Sequence, residues 1–258
     1  MIRIYKENEI EILRQSGKIL SKVMDELKKE VKPGITTKYL DKVAEELIFS
    51  LDAKPSFKGF NGFPAALCTS INEEIVHAIP SQRKLKLGDI LSLDLGVRFK
   101  GYCTDMAITV PVLNPSGTDL AVLDASGRIK KLLWVTEEAL GLGIEEAKPG
   151  NHLEDIGYAI QHYVEKQGFG IVRELVGHGV GKEVHEEPEV PNYGHLGKGP
   201  ELKQGMVLAI EPMVTVGDWH IKKSQDGSAY KTVDNSLSCH FEHTIIISKK
   251  CPEILTKL

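Results

Sequence analysis

The apolar positions of the chain follow a helical period in some stretches and a strand period in others. From Glu7 to Glu30 the apolar side chains recur on one face of a helix, and this pattern stops at Pro33-Gly34. Three more helices are predicted on the same grounds, at Thr37 to Leu51, roughly Asp119 to Ala147, and His152 to Gln167. Four stretches rich in β-branched residues are predicted as strands, at Ile90 to Val97, Tyr102 to Val112, Met206 to Val216 and Ser238 to Ser248.

Several of these segments occur twice along the chain. LKLGDILSLD, which ends at Asp94, matches LKQGMVLAIE, which ends at Glu211, so each copy is a strand that ends in a carboxylate. VKPGIT and AKPGNH form another pair at nearly the same separation, whereas VHAIP with VHEEP and DMAITV with EHTIII repeat at other separations. We therefore predict two similar α+β halves, approximately 1–115 and 116–258, that share one sheet and one site.

Asp94 and Asp105 stand on two successive predicted strands. A hairpin turn centred on Phe99 and Lys100 would place the two aspartates directly opposite each other, with their Cβ atoms about 4.5–5.5 Å apart. Carboxylates at that distance repel each other unless a cation lies between them. The alternative is that both aspartates are simply solvated on an exposed strand.

The second half of the chain supplies further candidate ligands. Glu211 and Glu242 lie in apolar strand sequence, where an ionised carboxylate needs a partner, yet no Lys or Arg stands close to Glu211 in the sequence. His178 lies between glycines in GHGVG, and His185 in VHEEP has a counterpart, His77, in VHAIP. A lone histidine in such a loop is more often structural or exposed. Together with four carboxylates, however, these histidines favour a metal site.

The motifs that carry these residues occur together in one known family. LDLG at Asp94, the spacing to Asp105, GHGVG followed by HEEP, IEPM at Glu211 and FEHT at Glu242 resemble the type I methionine aminopeptidases of the pita-bread fold. The resemblance runs from near Ile2 to the C-terminus. It implies a single catalytic metallopeptidase domain over 1–258, with an α+β fold in which two pseudo-symmetric halves share a curved antiparallel sheet flanked by helices.

The same resemblance implies a role for each site residue. Five residues would hold two divalent ions, with Asp105 and Glu242 bridging them: Asp94, Asp105, His178, Glu211 and Glu242. Glu211 would also act as general base, His185 would stabilise the oxyanion, and His77 would hydrogen-bond near the scissile nitrogen. The methionine side chain would contact four residues: Phe60, Phe63, Cys68 and Trp219.

The activity implied is that of a metallo-exopeptidase. Such an enzyme removes the initiator methionine from nascent polypeptides and peptides, with a preference for a small second residue. Because the ligand set has four carboxylates, one imidazole and no thiolate, Co, Mn, Fe(II) and Zn all remain open.

Composition narrows the function classes. The 258 residues, 41% of them hydrophobic, can bury a sizeable core, and a net charge of -4 gives no broad basic field for nucleic acid. No apolar run is long enough for a signal peptide or a membrane span, so we expect a cytoplasmic monomer. The four cysteines show no C-x-x-C pair, which argues against a thiolate zinc site and favours free thiols.

Two alternatives remain open. Proline-specific aminopeptidases and prolidases use a similar ligand set in the same fold, although they typically carry a further N-terminal domain. A non-enzymatic ribosome-associated protein is the other alternative, and a weak association with ribosomes could use one of two basic runs, Arg83-Lys84 with Lys86 or Lys222-Lys223. Such short runs are usually just solvated surface.

Overall fold

The protein is described by a computed structural model that covers residues 2–114 and 127–257. Four helices lie in these ranges: α1 (Glu7–Glu30), α2 (Thr37–Ser50), α3 (Arg128–Glu146) and α4 (Leu153–Lys166). They confirm the helices predicted from the apolar periodicity. The first part of the third predicted helix, from Asp119, lies outside the described residues. None of the described helices is long and apolar enough to cross a membrane.

The strands are short except for one long hairpin. In chain order they are β1 (Lys54–Pro55), β2 (Leu67–Ile71), β3 (Glu74–Val76), β4 (Ile90–Phe99), β5 (Tyr102–Pro111), β6 (Gly170–Ile171), β7 (Gly177–Gly179), β8 (Glu186–Val190), β9 (Val207–Ile210), β10 (Met213–Thr215), β11 (Ile221–Lys223), β12 (Tyr230–Thr232), β13 (Ser238–His240), β14 (Glu242–Ile246) and β15 (Glu253–Ile254). The hairpin of β4 and β5 confirms two of the predicted strands.

The other two predicted strands are each broken in two. The stretch predicted from Met206 to Val216 divides into β9 and β10 at Glu211-Pro212, and the stretch from Ser238 divides into β13 and β14 at Phe241. Proline has no N–H to donate to a sheet, so Pro212 interrupts the ladder. Each stretch then crosses from one sheet to another, because β9 pairs with β14 while β10 pairs with β13.

The main sheet is antiparallel throughout the described residues. Its order is β1-β4-β5-β14-β9-β7-β8, with β2 also paired to β4 and β15 also paired to β14. Two smaller sheets have the orders β13-β10-β6 and β11-β12-β3. The pairing of β5 with β14 joins two strands that are more than 130 residues apart in the sequence. An α+β fold with a shared antiparallel sheet is thus confirmed, while the division into halves at about residue 115 stays a prediction.

The helices cover one face of the main sheet. Leu91, Leu93 and Leu95 of β4 pack in one core cluster with apolar residues of α1 and α2. A second cluster joins α3 and α4 to β9 and β14, and Phe241 packs against both clusters. Because side chains alternate along a strand, Asp94 of β4 points to the opposite face. The helices thus support the sheet from behind, and the polar residues stand on its other face.

Gly17 of α1 marks the closest approach between this helix and the C-terminal segment. A Cβ atom built on Gly17 would overlap the carbonyl group of Leu255. The N–H of Leu255 donates to the Thr244 carbonyl at 2.9 Å, so the segment has little freedom to move away. Gly17 therefore occupies the apolar stripe of α1 because only a glycine lets the two backbones meet.

The substitution Gly17→Ala should lower the free energy of unfolding by about 1–3 kcal/mol, since the added methyl group overlaps a fixed backbone. Gly141→Ala is the matched control, because Gly141 also lies inside a helix but has open space around its Cβ position. There the usual helix preference for alanine should raise stability by roughly 0.5–1 kcal/mol. Urea denaturation of both variants measures whether the free energy of unfolding falls or rises in each. A rise for Gly17→Ala would contradict the packing described.

Candidate metal centre

Asp94 and Asp105 stand on the hairpin of β4 and β5, but not directly opposite each other. Phe99 pairs with Tyr102, and this register places Asp94 opposite Ala107 and Asp105 opposite Gly96. The predicted turn centred on Phe99 and Lys100 is therefore wrong. The turn residues are Lys100 and Gly101, with φ of 47° and 83°, and such positive values suit a two-residue hairpin whose second position is glycine. The two aspartates are diagonal neighbours on one face.

Glu242 adds a third carboxylate next to the two aspartates, on the neighbouring strand β14. It is the first residue of β14 and lies opposite Ala107, so Asp94, Ala107 and Glu242 follow one another across three strands. The short Ala107 side chain leaves the space between the two carboxylates open. Beside this row, the Thr244 hydroxyl accepts from the Asp105 N–H at 2.8 Å and donates to the Asp105 carbonyl at 2.7 Å. Thr244 thereby fixes the backbone that carries Asp105.

His178 and Glu211 approach the same carboxylates from the strands on the other side of β14. His178 lies on β7 opposite Ala209, and Glu211 follows the end of β9. Nδ1 of His178 lies 3.0 Å from the Gly179 carbonyl, to which it can donate, and this leaves the Nε2 lone pair free for a metal. Nε2 lies 3.7 Å from Glu211 Oε1. The ligand atoms of Asp105, His178 and Glu242 lie within 4.8 Å of one another.

The charge of this cluster is not balanced by any described cationic side chain. Asp94, Asp105 and Glu242 are buried, and no ion pair joins them or Glu211 to a Lys or Arg of the described residues. Burial raises the pKa of Asp94 to about 7, and it raises the pKa of Asp105 and of Glu242 well above the usual range. Neighbouring carboxylates add to the shifts of Asp105 and Glu242. Such a cluster is stable as carboxylates only with bound cations.

Glu211 differs from the other three carboxylates because imidazoles surround it. Burial opposes its ionisation, but contact with His240 and the nearby rings of His178 and His185 outweigh this effect and lower its pKa. Glu211 is therefore ionised at neutral pH. Of the four acids, it is the one held as a carboxylate by the protein itself.

His240 is a site residue that the sequence analysis missed. It is 1% exposed, and its Nε2 atom lies 3.2 Å from Glu211 Oε2, although the two groups are not aligned for a hydrogen bond. Neither ring nitrogen has a hydrogen-bond partner among the described residues. The signal for His240 in the sequence is its position two residues before Glu242. The internal repeat does not point to it, because the residue at the matching place in the first half, Cys103, carries no imidazole.

The cluster forms the floor of a cavity of about 350 Å³, which we call the metal cavity. Six of the predicted substrate or catalytic side chains line it together with the candidate ligands: Phe60, Phe63, Cys68, His77, His185 and Glu211. Cys68 on β2 lies opposite Asp94, and burial raises the pKa of its thiol, so it stays neutral and acts as apolar surface. The sequence analysis also passed over several wall residues: Phe57, Asn61, Gly62, Pro64, Ile79 and Ser228.

Trp219 is the one predicted pocket residue that does not line the metal cavity. Its ring instead stacks on His220 with centroids 3.8 Å apart and lies 4.8 Å below the guanidinium of Arg173. The N–H of Asp218 donates to Asp234 at 2.8 Å, which holds the chain beside Trp219 outside the cavity. The hairpin of β11 and β12 follows, and its loop residue Ser228 occupies the wall. The composition of this stretch gives no sign of whether Trp219 lies in the cavity wall or outside it.

His77 and His185 are held in defined orientations in the cavity wall. His77 has a φ of 64° and an edge-to-face contact with Tyr230 at 5.9 Å. The ring of His185 lies 4.1 Å from that of His178 and 5.2 Å from that of Phe60. Burial lowers the pKa of His77, and it lowers the pKa of His185 to about 4. Both rings are therefore neutral at pH 7, and each can donate one N–H.

These residues match a hydrolytic metal site in donor chemistry. Carboxylate oxygens and an imidazole nitrogen suit divalent transition metals, and the buried, unbalanced carboxylates would be neutralised by them. The neutral histidines in the wall lie beside the candidate ligands and face the same space. The cavity can thus combine bound cations with hydrogen-bond donors around one small organic group.

Comparison with known proteins gives a consistent result. The model of metallopeptidase family M24 matches residues 11–249. A curated relative, methionine aminopeptidase 1 of Bacillus subtilis, is 50% identical over 258 residues and covers 100% of both chains. The solved methionine aminopeptidase of Thermotoga maritima superposes with a TM-score of 0.94 at 43% identity, covering 100% of each chain. The prolidase of Pyrococcus furiosus, at 23% identity and a TM-score of 0.78 over 99% of this chain and 65% of that one, shares the fold.

The metal-free protein should lose stability as the pH rises. The pKa of Asp94 is about 7 in the folded state and close to 3.8 in the unfolded state, so the folded state binds more protons between these values. The stabilising contribution of Asp94 to the folded state is therefore present below pH ~4 and lost by pH ~7. After chelation, Asp94→Asn should be more stable than the parent protein by roughly 2–4 kcal/mol at pH 8, and about equal to it at pH 4.

Urea denaturation of both chelated proteins from pH 4 to pH 8 measures this difference. His185, whose pKa is lowered to about 4, makes the free energy of unfolding rise with pH instead of fall. Because it does so in both proteins, its effect cancels in the comparison. Parallel stability curves for the two proteins would contradict the electrostatic account of the cluster.

Proposed function

The chain belongs to metallopeptidase family M24, and we propose that it removes the initiator methionine from new polypeptides with two divalent ions bound at the carboxylate cluster. The enzyme is an aminopeptidase, and it uses divalent metal. The observation that carries the proposal is the convergence of Asp105, His178 and Glu242 on one point in the lining of the metal cavity. A substrate α-amine that entered this cavity would meet the ligands directly, which fits an enzyme that acts on chain termini.

The five side chains would divide between the two ions according to their places in the sheet. Asp105 and Glu242, on neighbouring strands β5 and β14, would bridge both ions. Asp94 lies on one side of this pair, and His178 with Glu211 lies on the other. Ions held there would lower the pKa of a coordinated water from 15.7 to about 7 and polarise the peptide carbonyl. Co, Mn, Fe(II) and Zn all fit the donor set.

Glu211 is the residue suited to move the proton of the attacking water. It is ionised at neutral pH because the surrounding imidazoles lower its pKa, so it can accept a proton. Its second oxygen faces His240, which limits rotation of the carboxylate. Glu211 would then return this proton to the leaving amine. Glu211 would therefore have two tasks, holding an ion and accepting a proton.

His77 and His185 supply neutral N–H donors beside the reacting group. His185 lies against His178, so it would face the developing oxyanion and stabilise it by a hydrogen bond. His77, which contacts Tyr230 in the lining of the same cavity, would donate a hydrogen bond near the scissile nitrogen. Because both rings are buried and neutral, neither adds a positive charge that would compete with the metal ions.

The apolar part of the wall would select the first residue of the substrate. Phe60, Phe63 and Cys68 line the metal cavity near Asp94, and a thioether packs well against aromatic edges. The free α-amine of the substrate would lie at the carboxylate end, which accounts for removal of one residue at a time. The confined space beyond it favours a small second residue. We expect a monomer that acts on nascent chains in the cytoplasm, with or without weak ribosome contact.

The first experiment restores Mn, Fe(II), Co or Zn separately to chelated protein and measures release of the first residue from three peptides. Met-Ala-Ser should be cleaved, Met-Leu-Ser should be cleaved far more slowly because of its bulky second residue, and Ala-Pro-Ala should remain intact. Asp94→Ala should abolish release by removing a ligand. Preferential cleavage of Ala-Pro-Ala would instead assign a proline-specific enzyme, and silence with every metal would favour a binding protein.

A second experiment separates the donors from the ligands. His185→Ala should lower kcat by about 100- to 1000-fold, since one oxyanion donor is lost, while the metal content by elemental analysis stays unchanged. Glu242→Ala, the matched control, should lose metal as well as activity. A His185 variant that loses metal in the same way would show that His185 is a ligand, contrary to its assigned role.

A further inference from the structure

A second cavity, of about 620 Å³, adjoins the metal cavity. Ile79 and Ser228 line both cavities, so they form the boundary between them. The walls of the second cavity come from the first turn of α2, from β2, from the segment after β3, and from the hairpin of β11 and β12. We call it the cationic cavity, after four of its lining residues: Arg83, Lys222, Lys223 and Lys231.

The acids of the cationic cavity do not balance its bases. Glu74 is engaged by Arg83 at 2.9 Å and by Lys231 at 3.2 Å, so these three form one compact group. Asp226 is held by hydrogen bonds from Ser224 and Ser228 rather than by a cation. Four cationic side chains therefore line the cavity beside two carboxylates, and a third carboxylate, Glu73 outside the lining, pairs with Lys231 at 3.3 Å, which leaves one positive charge in excess. The excess positive charge favours an anionic ligand.

Lys222 and Lys223 carry this excess. The Lys222 ammonium donates to the Val233 carbonyl at 2.9 Å and to Asn235 Oδ1 at 3.0 Å, both of which are uncharged. Lys223 lies over the ring of Tyr230, 5.6 Å from its centroid. Among the described residues, no carboxylate forms an ion pair with either lysine. Their charges are available to a group that enters the cavity.

One further feature of the wall favours a negatively charged oxygen. Thr69 is 2% exposed, and its hydroxyl has no hydrogen-bond partner among the described residues. Thr37, the first residue of α2, also lines the cavity, but the first N–H groups of that helix already donate to the carbonyls of Arg83 and Ser81. A buried donor without a partner is costly, and a ligand oxygen would satisfy it.

We propose that the cationic cavity binds an acidic side chain of the substrate, downstream of the second residue. This inference rests on the proposed aminopeptidase function. The substrate chain beyond its first residues must leave the metal cavity, and Ile79 and Ser228, which line both cavities, lie where it could pass into the cationic cavity. Asp or Glu in that part of the chain would meet Lys222, Lys223 and the Thr69 hydroxyl.

Hexapeptides that begin Met-Ala-Gly test the proposal. Asp, Asn or Lys is placed in turn at the fourth, fifth or sixth position, and all other positions are glycine. At one of these positions Asp should raise kcat/KM about three- to tenfold over Lys, with Asn between them, because two lysines attract the carboxylate. The preference should shrink at 0.5 M NaCl, since added salt screens such charges.

Lys223→Glu should remove or reverse this preference, measured as the ratio of kcat/KM for the Asp peptide to kcat/KM for the all-glycine peptide with the same variant. Lys249→Glu is the matched control, because it makes the same change in net charge at an exposed lysine outside both cavities. It should retain the full preference for Asp. Equal effects of the two variants would show that only the overall field of the protein matters and would overturn the proposal.

The outcomes also distinguish a failure of this subsite proposal from a failure of the proposed aminopeptidase function. If no peptide releases methionine, the proposed function fails. If the all-glycine peptide is cleaved but Asp, Asn and Lys are equivalent at every position, only the subsite is wrong. Inorganic phosphate should compete with the Asp peptides alone. If phosphate changes cleavage of the all-glycine peptide equally, the cavity is a site for a free anion, and the substrate proposal is overturned.

Discussion

Four carboxylates that lie close together, without an ion pair to any Lys or Arg in the part of the chain that the structure describes, are the constraint on which the rest of the structure depends. Asp94, Asp105 and Glu242 are buried, and their raised pKa values measure how strongly the protein alone opposes their ionisation. Bound cations remove that opposition. The helices behind the sheet, the Thr244 hydroxyl and the hydrogen bond of His178 all hold the ligands in place against their mutual repulsion.

The fold brings these ligands together at points where strands change sheets. The chain leaves the main sheet at Glu211-Pro212 and enters it at Glu242, so both glutamates stand at strand ends rather than within a ladder. An end position lets a carboxylate turn toward a neighbouring strand without disturbing cross-strand pairs. His240 lies at the end of the adjoining strand β13 and reaches Glu211 for the same reason. The break in each strand is thus part of how the site is built.

The fold class and the helices could be predicted from the sequence because they depend on periodicity and on motifs, and the five candidate ligands, His77 and His185 lie around one cavity, while their roles stay predictions. The sequence did not predict features that depend on local geometry. The register of Asp94 and Asp105 followed from the positive φ of Lys100 beside Gly101, which no hydrophobic pattern reports. Trp219 was misplaced because its surroundings are set by a loop contact between Asp218 and Asp234. His240 matters only through a tertiary contact with Glu211.

The two cavities differ in the side chains that line them, and under the proposed function their order would give the substrate a direction. The metal cavity holds the carboxylates that would bind the ions and receive the α-amine, and the cationic cavity adjoins it at Ile79 and Ser228. A peptide with a free amine and a downstream acid would therefore meet complementary groups in only one orientation. His77 and His185 line the metal cavity and are neutral, so they add hydrogen-bond donors without weakening that contrast. Their burial, which suppresses protonation, is what keeps the contrast intact across the neutral pH range.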